Sequence, residues 1–259
     1  MRFRQAFVAP CFRAPDQSYD ELLAQAKAIG YHAVEHWQRG ADWEEFCASA
    51  ARHGLTIASV GAYQSLERGI ALPGEHARIL TEIRASLAEA TTHGIGNLIV
   101  LAGNRQPGIS DAEHRAHAAA LLSQVAAEAE AAAVNLNLEV FNTRVDHKGY
   151  CCDRLEWALD VVRRVRSPRV RILLDLYHRQ IMEGDLIRAL DEAKDHLGHI
   201  HTAGNPGRHE LDDTQEIYWP AVARHIADTG YTGYVSHELF PRGDRLTALR
   251  QAFHACSVA

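Results

Sequence analysis

The regular alternation of β-rich and amphipathic stretches predicts an α/β protein, a (β/α)8 TIM barrel occupying residues 1–259 as one domain. Three observations carry that expectation. The chain has 259 residues, close to the roughly 250 usual for one such barrel. Strand-like and helical runs alternate eight times along it. In the second half, four successive apolar runs finish on a carboxylate or an imidazole: Val134–Glu139, Val170–Asp175, Leu197–His201 and Gly233–Glu238. A single buried run ending on a charge is common. Four in succession describe one site, because the C-terminal strand ends of a barrel open onto one face.

Taken in order, the first strand is Gln5–Ala9 (QAFVA), followed by an amphipathic helix over Tyr19–Ile29. Gly30 stands just past that helix, where a left-handed C-cap favours glycine, and a short turn leads into the strand Ala33–His36. The helix Trp43–His53 closes on Gly54 before the strand Thr56–Gly61, and the helix Glu75–His93 closes on Gly94 before Asn97–Leu101. The helix Asp111–Ala133 then precedes the run ending on Glu139, Arg154–Arg164 the run ending on Asp175, and Leu186–Lys194 the run ending on His201. Trp219–Thr229, closed by Gly230, precedes the run ending on Glu238, and Arg245–Ala255 completes the alternation. The connecting turns are as short as an α/β barrel uses. The longest irregular stretches, Phe141–Cys152 and Thr202–Tyr218, each directly follow a candidate ligand, where an enzyme of this shape keeps its functional loops.

Composition excludes several classes. Apolar residues make up 47% and charged residues 23%, ordinary for a globular chain with a large core. The net charge of −6 argues against nucleic-acid binding, which uses a basic surface. No apolar run approaches the roughly 20 residues that cross a membrane, and the N-terminal segment lacks a signal-peptide core. The five cysteines are odd in number and scattered, with Cys151 and Cys152 adjacent, so reduced thiols of a cytoplasmic protein are expected instead of a disulfide framework. Most of the sixteen histidines, among them His32, His53, His76, His93, His114 and His117, fall on or beside helices without ligand spacing and are expected at the surface.

Two glutamates, an aspartate and a histidine form a hard, oxygen-rich donor set. It suits Mg²⁺, Mn²⁺ or Co²⁺ better than structural Zn²⁺, which prefers Cys and His. Four protein ligands leave about two positions of an octahedral ion for substrate oxygens. An α-hydroxycarbonyl compound fills both, and the ion then stabilises the enediolate formed when a C–H proton leaves. One glutamate can remove that proton while the other, or water, returns it to the neighbouring carbon.

The segments LEVFNTRVDHKGY (138–150), LDLYHRQIMEGDL (174–186), HIHTAGNPGRHELDDTQEIYWP (199–220) and GYVSHELFP (233–241) resemble those of the hydroxypyruvate isomerase-like proteins. These sit within the xylose isomerase-like barrel superfamily with the 2-oxo-tetronate isomerases and ketose 3-epimerases. The resemblance implies a divalent metal on Glu139, Asp175, His201 and Glu238, with both glutamates in proton transfer. It also implies substrate contacts from His178 and Arg208. Some hydroxypyruvate isomerases carry Gln where this chain has His201, and VDHKGYCCD replaces a more apolar segment, so the substrate is the open question. A hydroxycarbonyl isomerase and a ketose 3-epimerase both fit. Asp146 and His147 either bond substrate hydroxyls or belong to a surface loop. Glu210 is expected to orient Arg208 or His201, since metal-bound imidazole usually donates its other N–H. Glu35 and His36, ending the second strand, are expected in a structural or rim role, and Asn104 either reaches the pocket or shapes a turn. The expected partner is a small hydroxycarbonyl substrate, without nucleic acid or membrane and compatible with a homo-oligomer.

Overall fold

A computed structural model describes residues 3–258. Eight parallel strands form one sheet: β1 (Arg4–Phe7), β2 (Ala33–His36), β3 (Thr56–Gly61), β4 (Asn97–Val100), β5 (Asn135–Val140), β6 (Val170–Asp175), β7 (Leu197–Thr202) and β8 (Tyr234–His237). The order β1-β8-β7-β6-β5-β4-β3-β2 places each strand beside its neighbour in sequence and joins β1 to β8. The remaining seam, between β1 and β2, is bridged by Val8 with Glu35 and by the His32 N–H to the Gln5 carbonyl at 3.3 Å. The barrel is therefore nearly closed.

Between the strands lie α1 (Ala9–Phe12), α2 (Tyr19–Ile29), α3 (Trp43–Arg52), α4 (His76–His93), α5 (Asp111–Ala132), α6 (Leu155–Val165), α7 (Leu176–Met182), α8 (Leu186–Ala193), α9 (Trp219–Asp228) and α10 (Arg245–Ala255). The eight long helices start and stop within one residue of the positions that periodicity and capping predict. Ser18 and Ser110 each close a capping box with the glutamate three residues on, fixing the starts of α2 and α5. Two short helices were not expected. α1 runs directly off β1 with Pro10 in its first turn. α7 runs directly off β6, capped by Asp175, whose Oδ1 accepts from the Tyr177 and His178 N–H groups at 2.8 and 3.1 Å. No helix among the described residues is long and apolar enough to cross a membrane.

Apolar faces of the helices cover the barrel, with Trp157 and Trp219 fully buried beneath them. All five cysteines are buried and free. His114 departs from expectation: it is buried, with Nδ1 3.2 Å from the Ala71 carbonyl and Nε2 accepting the Gln106 N–H.

One irregularity aims β7. Leu197 pairs with Ile172 and His199 with Leu173, so Gly198 is the extra residue of a bulge. A Cβ there would lie 1.9 Å from Asn137 Oδ1 and 2.8 Å from Arg171 Cβ. Gly198→Ala is accordingly expected to lose about 1–3 kcal/mol through overpacking, read by denaturant unfolding. An unchanged midpoint would show that β7 tolerates the extra carbon.

Candidate active site

The strand ends bring the four charged residues together. Glu139 is on β5, Asp175 closes β6, His201 is on β7, and Glu238 follows β8, its N–H still bonded to the Thr202 carbonyl of β7 at 3.0 Å. One ligand atom of each lies within 4.8 Å of the others, and all four residues are buried.

Three buried carboxylates need positive charge close by, and two groups supply it. His201 Nδ1 lies 3.1 Å from Glu238 and 3.5 Å from Glu139. The Arg208 guanidinium donates to Asp175 Oδ2 at 3.0 Å, to the Glu238 carbonyl at 3.1 Å and to Glu238 Oε2. The two glutamates consequently differ. Burial, reinforced by Glu238 and Asp175, pushes Glu139 up to about 7 against the pull of His201. Burial also acts to raise Glu238, but Arg208, His201 and the Trp37 N–H outweigh it and hold the carboxyl at about 2. Asp175 is raised by burial, partly offset by Arg208. His201 is raised well above the usual imidazole range because Glu238 and Glu35 overcome its burial.

The donor set fits a hard divalent cation. The sharpest sign is His201 itself: its Nε2 lies 3.0 Å from Glu35 Oε2, which leaves the buried Nδ1 as the nitrogen aimed at Glu139 and Glu238, with no well-aligned hydrogen bond to either. A cation held between that nitrogen and the carboxylates would satisfy all of them.

Above the cluster is a cavity of about 590 Å³. Trp37, Tyr63, Leu66, Leu101, Phe141 and Phe240 make much of its wall, and Glu139, His201, Arg208 and Glu238 reach it. Asp146 and His147 line it as well. Asp146 accepts from the Tyr177 hydroxyl at 2.9 Å and from Asn142 Nδ2 at 2.6 Å, and His147 stacks on Phe141 with ring centroids 4.3 Å apart.

Other expected site residues are placed differently. His178 is fully buried behind Arg208 and off the cavity wall, because α7 begins at Asp175 and turns the imidazole inward; its Nε2 accepts from Arg208 Nη1 at 2.8 Å. Burial and Arg208 press its pKa far below the usual range. Glu210 does not orient Arg208 or His201. Its carboxylate accepts from the Arg242 N–H at 2.7 Å, the Gly243 N–H at 3.2 Å and Arg242 Nε at 3.1 Å, so it pins the loop after β8. Asn104 pairs with Tyr150 in an isolated antiparallel bridge and is off the cavity wall. His36 lies 2.7 Å from the Tyr19 hydroxyl.

Sequence reasoning undervalued Glu35 and missed Trp37. Glu35 is in contact with His201, and the Trp37 indole N–H donates to Glu238 Oε1 at 2.6 Å. A strand-end position beside the mouth was the available signal for both.

Comparison with known proteins adds to this geometry. The family model described as xylose isomerase-like TIM barrel matches residues 23–256. A 2-oxo-tetronate isomerase of Cupriavidus necator is 32% identical over 235 residues, covering 88% of this chain and 89% of the relative. A hydroxypyruvate isomerase of Escherichia coli is 28% identical over 240 residues, covering 90% and 92%. Among solved structures, an AP endonuclease, family 2, from Brucella melitensis superposes with a TM-score of 0.86 at 24% identity, covering 97% of this chain and 98% of that one, a likeness of fold.

Proposed function

The chain belongs to the xylose isomerase-like TIM barrel family, and on that premise we propose that it interconverts small α-hydroxycarbonyl acids with a divalent metal. The relatives, named for hydroxypyruvate and 2-oxo-tetronate, place it among isomerases and suggest acids of those types as substrates. The observation that supports the metal reading is the convergence of the buried His201 Nδ1 with three buried carboxylates, their ligand atoms within 4.8 Å of one another.

Glu139, Asp175, His201 and Glu238 would hold the ion. Bound Mg²⁺, Mn²⁺ or Co²⁺ would polarise the substrate carbonyl and offset the charge of the enediolate. The chain's own groups supply the rest. Glu238, kept ionised by Arg208, is one of the two carboxylates placed to exchange the substrate C–H proton. Glu139, near 7, is suited to hold a proton for return to the neighbouring carbon. Arg208 reaches the cavity and offers a charged donor to a substrate carboxylate or hydroxyl. The apolar wall of Leu66, Leu101, Phe141 and Phe240 limits the water that competes for the carbanion.

The test is a panel of hydroxypyruvate, 2-oxo-tetronates and longer ketoses, incubated in D₂O with each metal. Product from the three- and four-carbon acids carrying solvent deuterium is the expected result. Turnover confined to longer ketoses would make the enzyme a 3-epimerase, and no exchange with any of them would overturn the proposal. Arg208→Ala is expected to raise KM about 10–100-fold, the loss of a hydrogen bond to a charged group worth about 1.5–3 kcal/mol, and to lower kcat as well, because Glu238 loses the cation that keeps it ionised. Initial-rate kinetics separate the two; a change confined to kcat would remove Arg208 from substrate binding.

A further inference from the structure

Glu35 reaches from β2 to β7 inside the barrel, 1% exposed. One carboxylate oxygen lies 2.5 Å from His199 Nε2; the other lies 3.0 Å from His201 Nε2 and 2.9 Å from the Ser59 hydroxyl. An ionised carboxylate only accepts, so each imidazole must place a proton on Nε2 and the hydroxyl must donate as well. For His201 this settles which proton a metal-bound ring keeps: the one on Nε2, so that the Nδ1 proton, which Glu139 and Glu238 hold in the metal-free site, is the one an ion displaces.

We propose that Glu35, braced by Ser59 and His199, is the positioning residue that fixes the tautomer and ring orientation of His201 as a metal ligand. The inference rests on the metal reading above and extends it to residues with no place in the donor set. Glu35, His199 and His201 also lie close enough together to hold an ion of their own. Their mutual hydrogen bonds use both Nε2 positions as donors, which leaves no lone pair between them for one. The location is costly for a merely structural group, since a buried carboxylate needs every acceptor site matched. A carboxylate behind a ligating imidazole also increases its basicity and holds its ring, and losing such a partner typically costs about 10–100-fold in metal affinity.

Glu35→Gln separates charge and tautomer from shape. The amide nitrogen cannot accept from an imidazole N–H. With its nitrogen toward Ser59 and His201 the amide donates to both, its oxygen keeps the bond from His199, and His201 must carry its proton on Nδ1, where carboxylates already stand. The flipped amide would leave the His201 proton on Nε2, and ¹⁵N NMR of the variant tells the two orientations apart. Two measurements test this. In Mg²⁺-loaded wild-type protein, ¹⁵N NMR of the histidine rings, with His201 assigned by its loss in His201→Gln, should show the proton on Nε2. Mn²⁺ titration by calorimetry should show binding weakened about 10–100-fold in Glu35→Gln. Ser59→Ala, which leaves the carboxylate in place, should keep the wild-type tautomer and bind Mn²⁺ within a few-fold of wild type. A wild-type His201 with an unprotonated Nε2 overturns the proposal even if Glu35→Gln fails to fold. Equal Mn²⁺ affinity in wild type and in a folded Glu35→Gln whose His201 carries its proton on Nδ1 overturns it too, while leaving the metal reading intact. Wild-type protein that binds neither ion overturns both.

Discussion

Glu139→Gln and Glu238→Gln are each expected to cut turnover by about 10²–10⁴-fold, the usual cost of removing a positioned general base or acid. Glutamine still offers an oxygen to the ion but accepts no proton at any useful pH. Rates of solvent deuterium entry into the substrate read the step directly. Exchange at the wild-type rate in both variants would reduce the glutamates to ligands. The two replacements should also differ in metal-free stability. Glu139 sits above its ordinary range, so its charge opposes folding near neutrality, and the neutral amide should leave stability unchanged or raise it. Glu238 is depressed, so its charge favours folding above the unfolded pKa, and its loss leaves the buried Arg208 guanidinium with Asp175 as its remaining carboxylate partner there. Glu238→Gln should therefore unfold at lower temperature than Glu139→Gln at pH 7.

Chelation should abolish turnover while leaving the fold in place, and Mg²⁺ or Mn²⁺ should restore it. The ion would sit among side chains at the strand ends, and the hydrophobic core beneath is built without it. Re-addition should also raise the melting temperature, because a ligand at 100 times its Kd stabilises the folded state by about 2.7 kcal/mol. Far-ultraviolet circular dichroism, calorimetry and activity on one chelated sample measure all three. Full turnover in a demonstrably metal-free sample would refute the metal-dependent mechanism.

Much of the barrel was legible because its signals are local. Apolar periodicity and C-cap glycines depend on neighbours within a few residues, and they located the long helices to within one residue at either end. α7 escaped because Asp175 serves at once as strand end and helix cap, leaving no connecting residues to mark a boundary. The substrate contact implied for His178 by resemblance is not seen directly, because α7 turns its imidazole behind Arg208. The convergence of the four donors was legible because barrel geometry turns strand ends into a common address. Glu35 was not. Its partners His199 and His201 lie 164 and 166 residues away, and nothing in Ala33–His36 shows which residues stand across the barrel. Glu210 was expected to take the second N–H of His201 or to orient Arg208, but Glu35 takes that N–H from across the barrel and Glu210 accepts from Arg242 and Gly243 instead.

The four donors all come from β5–β8, while Trp37, Tyr63, Leu66 and Leu101, a large share of the cavity wall, follow or end β2, β3 and β4. Under the assignment proposed here, the gene keeps its reaction in one half and much of its substrate preference in the other. Point mutations in the earlier half can then alter what is recognised while the proton-transfer apparatus is inherited unchanged. Recombination between β4 and β5 would join a new selector to an old reaction. Such a chimaera must still match the side chains by which the first half grips the second: Glu35 on His201 and Trp37 on Glu238. Those are the positions at which lineages exchanging halves of this barrel would be obliged to co-vary.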